Sequence, residues 1–198
     1  MGRCIEIRKG KPLIEVLRWG TSPFVYSAIS AITQTAPVQI SAAGHGLPDG
    51  WPVAVVSVKG MRQINAESSP PSLSRDYRPA TVVDDNTVQI NEINAADFSA
   101  YTSGGYLQYH TPVDLTGYTA RLVIKDRIGG TELLRLTGTR GITLDNTAKT
   151  ITYAVAASVT EKLTWKKGVF ELEMEASDGT VTTLDSGEIV VFDEVATS

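Results

Sequence analysis

Two histidines and one cysteine are the side chains of this sequence best suited to nucleophilic or acid–base chemistry. Acyl transfer needs a nucleophile, a base and a group that orients the base. His45 lies between two glycines, where a turn residue is expected, and His110 stands beside Thr111 and Pro112. Neither has the neighbours of a hydrolase motif, and these three residues cannot build a zinc site without several carboxylates. The sequence therefore predicts no catalytic residue, no metal and no cofactor.

Carboxylates are the remaining candidates for chemistry. Spacing alone leaves open a pair for glycoside hydrolysis. Five aspartates stand in turn contexts, where Asp is favoured for backbone reasons; they are Asp84, Asp85, Asp97, Asp145 and Asp178. Glu171, Glu173 and Glu175 follow one another at two-residue spacing, a pattern that also fits a cation site. A charged strand face that prevents edge-to-edge pairing is the simpler interpretation.

Composition restricts the class of protein further. The chain has 198 residues, 42% hydrophobic and 20% charged, with 17 Gly and 9 Pro. Abundant Thr and Val with so much Gly and Pro favour strands and turns over helices. A net charge of −4 and the lack of clustered Lys and Arg argue against nucleic-acid binding. No apolar run has the length of a membrane span, and the single Cys4 cannot form an intramolecular disulfide.

The sequence of the first half of the chain predicts short strands. Cys4–Arg8 and Leu13–Trp19 flank a turn at Gly10 and are expected to form a hairpin, which must pair with strands from elsewhere. Gly20-Thr-Ser-Pro23 then breaks the pattern. Five further strands separated by turns indicate a small barrel or sandwich. Their ranges are Val38–Ser41, Val53–Val58, Thr81–Val83, Thr87–Ile90 and Gly105–Tyr109.

The second half carries the clearest alternation. Ala120, Leu122 and Ile124 fall on one face of an extended segment, with Arg121 and Lys125 on the other. The segment 169–176 alternates in the same way and predicts a strand whose apolar face lies on a core; these residues are Phe170, Leu172, Met174 and Ala176. Asp178-Gly179 predicts the hairpin turn after it. Ser158-Val-Thr-Glu161 has the pattern of a capping box and predicts one helical turn.

Two segments of this half resemble a known family. Asp114-Leu-Thr-Gly117 with the strand that follows, and the closing segment Gly179–Val191, resemble the immunoglobulin-like domain of bacteriophage tail and baseplate proteins. The upper baseplate protein of siphophages is the best-known member of that family. The resemblance implies an immunoglobulin-like β-sandwich and brings no catalytic residues with it.

The middle of the chain resembles a second family. Pro37–Gly50, Val58–Ala66 and Phe98–Gly105 resemble the small β-barrel named after the first catalytic cysteine half-domain of ubiquitin-activating enzymes, which recurs in phage virion proteins. Cys4 lies outside these segments, so no residue here could carry a thioester. The resemblance therefore implies a scaffold.

These patterns predict an all-β protein with an insertion. We expect residues 1–28 and 111–198 to form one discontinuous immunoglobulin-like sandwich, and residues 29–110 to form a small β-barrel inserted into one of its loops. Insertion at a loop is tolerated because the two ends of a surface loop lie close together. A serial arrangement of two domains is the alternative.

One loop is a candidate for protein contacts. The segment 67–79 contains three Pro and four Ser. Arg75, Tyr77 and Arg78 could contact a protein partner there, although a plain solvated loop also fits this composition.

Both resemblances imply a structural subunit of a bacteriophage tail or baseplate. Such a subunit would be an adaptor between the tail hub or nozzle and the fibres or neighbouring subunits, present in several symmetric copies in the virion after synthesis in the host cytoplasm. The alternative is a carbohydrate-binding module for the host surface, with Trp51 and the Pro-rich loop as its candidate residues. Neither function involves nucleic acid or a membrane.

Overall fold

A computed structural model of the chain describes residues 3–194. Residues 1, 2 and 195–198, expected at the two ends of the sandwich, lie outside the described residues. The described chain is nearly all β-structure, and the expected all-β class is confirmed. In chain order its strands are β1 (Arg3–Arg8), β2 (Leu13–Leu17), β3 (Gly20–Ala28), β4 (Ala31–Ile32), β5 (Val38–Ser41), β6 (Trp51–Val56), β7 (Arg78–Asp84), β8 (Thr87–Ile90), β9 (Tyr106–Pro112), β10 (Thr119–Lys125), β11 (Glu132–Thr137), β12 (Ile142–Asp145), β13 (Thr150–Val155), β14 (Lys167–Glu175) and β15 (Val181–Phe192). A 3₁₀ turn covers Arg62–Ile64, and helix α1 covers Ala157–Thr160.

The chain divides into two compact units. The first, called the sandwich below, comprises residues 1–19 and 114–198; the second, the inserted unit, comprises residues 20–113. The sequence placed these boundaries at 28 and 111, because the pattern of short strands and turns begins at Ile29 and Gly20-Thr-Ser-Pro23 predicts a break in any strand before it. Instead β3 runs through both residues and pairs with β9, so residues 20–28 belong to the inserted unit. The register shifts between Thr21 and Phe24, and such a bulge is where a strand accommodates proline.

The sandwich consists of two sheets. One has the strand order β1-β15-β14-β10-β11 and the other the order β12-β13-β2. Two sheets of mainly antiparallel strands that enclose one core are the architecture of immunoglobulin-like domains. The predicted alternation on β10 and β14 supplies much of that core, with Leu122 opposite Leu172. The buried residues of these two strands are Ala120, Leu122, Ile124, Phe170, Leu172 and Met174.

The predicted N-terminal hairpin is wrong. β1 pairs in parallel with β15, whereas β2 pairs with β13 in the other sheet. The turn after β1 therefore carries the chain across the sandwich, so that the apolar faces of the two strands line the core from opposite sides. The Oγ1 hydroxyl of Thr160 in α1 holds this crossing by donating a hydrogen bond to the carbonyl of Lys11 at 2.8 Å.

Two local predictions in the second half need correction. A helical turn forms at α1, but its N-cap is Ala156 and makes no side-chain cap, so Ser158 does not open it. The glutamate-rich β14 lies between β10 and β15, in the middle of its sheet, so these carboxylates do not protect an edge. Glu173 and Glu175 instead form ion pairs with Arg121 on the neighbouring β10.

The inserted unit is a small closed barrel. Its strand order is β3-β9-β6-β7-β8-β5-β4, and the two ends of this order belong to one stretch of chain. Residues 20–28 pair with β9, and residues 31–32, only three positions later, pair with β5. The backbone N–H of Ile29 donates to Gly105 and that of Ser30 donates to Ser41, which joins the two pairings. The sheet thus closes on itself around a core that includes Val38, Ile40, Met61, Val88 and Leu107.

The barrel begins and ends at one place. Gly20 is opposite Pro112 in the β3–β9 pairing. Directly opposed residues in an antiparallel pair have Cα atoms about 5 Å apart. The inserted unit therefore leaves the chain between Trp19 and Asp114 with its ends adjacent, as an insertion in a loop requires.

Candidate functional site

The three residues predicted to contact a partner have different environments. Arg75 is exposed, with its guanidinium 3.9 Å from the carboxylate of Glu67. Tyr77 is only 8% exposed, and its hydroxyl accepts a hydrogen bond from Gln108 at 2.9 Å. Arg78 is half-buried at the start of β7, with its Nε 3.1 Å from the carboxylate of Glu92. Tyr77 and Arg78 therefore hold the end of the loop on the barrel, and Arg75 is the exposed member of the three.

The loop that carries these residues is organised around a carboxylate. Asp76 accepts the backbone N–H of Ser72 at 2.7 Å on one oxygen and that of Glu67 at 2.8 Å on the other. The hydrogen bond from the N–H of Ser72 has the largest effect in lowering the pKa of Asp76, and the bond from the N–H of Glu67 lowers it further. These bonds fold the Ser-Pro-rich segment into a defined turn whose tip exposes Leu73.

A groove runs between the first part of this loop and the outer wall of the barrel. It has a volume of about 670 Å³ and lies between Ser68–Pro71 on one side and strands β3, β6 and β9 on the other. We call it the aromatic groove because two exposed aromatic rings, on β3, line it. Its lining residues are Phe24, Tyr26, Val56, Ser57, Asn65, Ala66, Ser68, Ser69, Pro70, Pro71 and Gln108.

Strand alternation places the aromatic rings on the outside. Val25 packs against the barrel core, so its neighbours Phe24 and Tyr26 point outwards and are 37% and 54% exposed. Phe24 is opposite His110 in the β3–β9 pairing, and their ring centroids are 4.3 Å apart. Tyr26 meets Tyr106 edge-to-face, with centroids 6.2 Å apart. The wall beside the groove thus carries two pairs of neighbouring aromatic rings.

Polar groups lie beneath these rings. Gln108 is 5% exposed and donates its Nε2 hydrogen to the hydroxyl of Tyr77. Burial raises the pKa of Tyr77, which keeps the phenol protonated. The ring of Tyr77 also stacks on His110, with centroids 6.4 Å apart, and the buried Nδ1 of His110 has no hydrogen-bond partner among the described residues. The hydroxyl of Tyr77, at the end of the loop, therefore fixes the neutral amide of Gln108 on β9 at the floor of the groove.

One residue at the end of the groove has a strained backbone. Ser57, which follows β6, has a φ of +61°. Residues other than glycine adopt this region rarely, and such residues are concentrated at functional sites. Asn65 holds the adjacent backbone by accepting from the N–H of Val58 at 2.8 Å and donating to its carbonyl at 3.0 Å. The amide of Asn65 therefore positions the groove wall.

The residues first considered for chemistry do not assemble into a reactive site. His45 accepts the N–H of Leu47 on Nδ1, so its Nε2 carries the proton and donates to the carbonyl of Asp84 at 3.0 Å. Both ring nitrogens are thus engaged in holding a turn, while Cys4 lies exposed on β1 of the sandwich. Within residues 3–194, no group of three or more His, Cys, Asp or Glu is placed to hold a metal ion. Over the same residues, no helix combines the length and apolar character needed to cross a membrane.

The aromatic residue named for carbohydrate binding is not at the surface. Trp51 is 2% exposed in the barrel core, and its Nε1 donates to the carbonyl of His110 at 3.0 Å. The exposed rings next to the Pro-rich loop are Phe24 and Tyr26, which the sequence reasoning missed. Their signal in the sequence is Phe24-Val-Tyr26, an alternation with aromatic residues on the polar face, which the turn preferences of Gly20 and Pro23 conceal.

Comparison with known proteins gives no family for this chain: no protein-family model matches it, and no curated protein does.

Proposed function

We propose that this chain is a structural subunit of a bacteriophage tail or baseplate, an adaptor that joins the tail hub or nozzle to fibres or neighbouring subunits. The observation that carries the proposal is the resemblance of both units to modules of virion proteins. In the sandwich, the segments that carry it are Asp114–Gly117 with β10, and the closing Gly179–Val191. They form two strands on either side of β14 in one sheet. In the inserted unit, Pro37–Gly50 provides β5 and the turn held by His45.

An adaptor acts through its surface, and the sandwich has a suitable one. β2 is an outer strand of its sheet, pairing with β13 alone among the described strands. Its outward residues Ile14 and Val16 are 62% and 58% exposed, next to Ala154 and Thr152 on β13. Exposed β-branched residues on an outer strand are the kind of surface that another chain covers. We assign this face to contact with a neighbouring tail subunit in a symmetric ring.

The test is electron microscopy of virions from the phage that encodes the chain, with and without this gene. The proposal expects particles that lack fibres or a complete baseplate and that recover when the gene is supplied in trans. Mass spectrometry of purified wild-type virions should detect the chain. Complete, infectious particles from the deletion would rule out the adaptor function.

A matched pair of variants tests the assigned face. Val16→Lys, supplied in trans, puts a charge into the face and should prevent incorporation into virions. Val83→Lys is the control, because Val83 is also an exposed β-branched residue, 51% exposed, but lies on the inserted unit. Circular dichroism of both purified variants establishes that they fold. Equal incorporation of the two would remove β2 from the interface without removing the adaptor function itself.

A further inference from the structure

We propose that the aromatic groove of the inserted unit binds a neutral carbohydrate. This inference does not depend on the adaptor function, because it rests on the lining of the groove alone. It differs from the carbohydrate alternative raised by the sequence, which named Trp51, a core residue.

The lining of the groove indicates a neutral ligand. None of its residues is charged. On the other side of the same loop, a second depression is lined by Glu67, Arg75, Asp76, Arg78 and Glu92, so the loop separates a charged surface from an uncharged one. A phosphate or carboxylate ligand would find no cation in the aromatic groove, and an ammonium group would find no carboxylate.

Its aromatic rings suit the apolar face of a sugar. Phe24 and Tyr26 are adjacent outward residues of one strand, so their rings stand side by side along the wall. Each presents a flat apolar surface that is rigid and costs little conformational entropy to use. The C–H bonds on one face of a pyranose ring form a complementary apolar surface. The edge-to-face contact with Tyr106 keeps the Tyr26 ring in position.

The remaining groups suit the hydroxyls of the same ligand. Ser57 and Ser69 bring hydroxyls that can donate or accept, and the hydroxyl of Ser68, which donates to Asp76, can still accept. Gln108 is fixed by its bond to Tyr77, which leaves the side-chain Oε1 as an acceptor. A polyol needs such mixed partners, whereas a purely apolar ligand would leave them unpaired.

The size of the groove favours a small ligand over a protein surface. Its volume of about 670 Å³ lies within the range of roughly 300–1,000 Å³ typical of small-molecule sites. A specific protein interface covers an area on the order of 1,200–2,000 Å² and places its anchors on a flatter patch. A short oligosaccharide is therefore the occupant to which the groove is matched.

The experiment uses the full-length protein and two probes. Ligand-detected saturation-transfer NMR with a panel of neutral hexoses and N-acetylhexosamines at millimolar concentration detects weak binding. A glycan array that carries neutral, sialylated and phosphorylated oligosaccharides then gives the class. We expect binding to the neutral glycans of the array and no binding that depends on a sialic acid or a phosphate group.

Tyr26→Ala is the decisive variant, and Phe192→Ala is its control. Both remove an exposed aromatic ring, 54% and 43% exposed, but Phe192 lies on the sandwich. Tyr26→Ala should weaken glycan binding about tenfold or more, as expected for loss of a stacked ring, and Phe192→Ala should leave it unchanged. Absence of binding in both assays, preference for anionic glycans, or equal affinity in wild type and Tyr26→Ala would each overturn the proposal. Loss of binding to a purified tail protein in Tyr26→Ala, without any glycan binding, would overturn it in favour of a protein partner.

Discussion

The two units of this chain use their surfaces differently. The inserted unit holds nearly half of the residues but only 4 of the 18 Lys and Arg and 7 of the 22 Asp and Glu. In the sandwich, many of the charges pair across neighbouring strands, as Arg121 does with Glu173 and Glu175. In the inserted unit, the ion pairs among the described residues lie at the 67–79 loop and leave the wall beside β3 uncharged. The surface of the sandwich is thus rich in paired charges, whereas the barrel displays an uncharged surface suited to recognition.

Ion pairs also connect the two sheets of the sandwich. Arg3 on β1 contacts Glu15 on β2 and lies 3.1 Å from the carboxylate of Asp185 on β15, so one arginine links the two sheets. These side chains are partly exposed, and exposed ion pairs contribute about 0–1 kcal/mol each. They fix the geometry of the sandwich more than its stability, because the stability of each unit comes from its own apolar core.

The largest expected effect separates those cores. Leu172 in the sandwich and Leu107 in the barrel are both fully buried. Leu172→Ala and Leu107→Ala should each lower the free energy of unfolding by about 2–5 kcal/mol, through lost burial and the cavity left behind. Hydrogen exchange followed by mass spectrometry should locate the loss of protection: in β10 and β14 for Leu172→Ala, and in β3, β6 and β9 for Leu107→Ala. Equal loss in both units from either variant would mean that the units unfold as one.

The sequence predicted the sandwich core better than the barrel surface, for a physical reason. In β10 and β14 every second residue is apolar, so the buried face is written in the local pattern and Leu122 and Leu172 could be assigned to a core. Pairing partners depend on distant parts of the chain. Nothing within Cys4–Arg8 indicates that this strand lies beside β15, and its neighbour in sequence looked like the natural partner.

The aromatic groove was beyond local pattern for two reasons. Gly20 and Pro23 signal a turn by their intrinsic preferences, and only the bulge in the β3–β9 pairing lets a strand pass through them. The groove also needs Ser68–Pro71 to lie against β3, about forty residues earlier in the chain. The Ser-Pro-rich composition predicted a loop correctly but not the Asp76 bonds that fold it. A plain solvated loop was therefore the simplest reading of a segment that has defined structure.

A smaller effect is the difference in stability between alanine variants of two glycines that share one backbone conformation. Gly60 of the barrel and Gly179 of the sandwich have φ values of +82° and +84°. A Cβ on Gly60 would lie 2.3 Å from the carbonyl oxygen of Ala100, whereas a Cβ on Gly179 would meet nothing within 4 Å. Gly179→Ala should cost about 1–2 kcal/mol for the left-handed conformation alone. Gly60→Ala should cost a further 1–3 kcal/mol or so, because backbone must move. Urea unfolding of both variants measures the difference, and equal costs would show that the barrel relaxes around the added methyl group.

The smallest expected effect is a change in how steeply the stability of the sandwich falls as the pH is lowered. Hydrogen bonds from Thr116 lower the pKa of Asp114 to about 2 from its ordinary 3.8. The side-chain hydroxyl of Thr116 has the largest effect, followed by its backbone N–H. A carboxyl whose pKa is lower in the folded state stabilises the fold above its unfolded pKa, and this contribution is lost as the pH falls through the folded pKa. The sandwich should therefore lose stability between about pH 4 and pH 2 in part through Asp114.

Asp114→Asn should flatten that loss, because the variant lacks the stability that the charged carboxylate adds at pH 7, including its contact with Lys149 at 3.5 Å. Thr116 donates both of its hydrogen bonds to the same oxygen, Oδ1, and an asparagine retains one such acceptor. Asp76 of the inserted unit accepts hydrogen bonds on both carboxylate oxygens, and an asparagine keeps only one acceptor, so Asp76→Asn should lower stability at pH 7 by more than Asp114→Asn does. Melting temperatures of wild type and both variants from pH 2 to pH 7 separate the two behaviours. An Asp114→Asn curve parallel to wild type below pH 4 would mean that the Thr116 hydrogen bonds do not favour the charged carboxylate in solution.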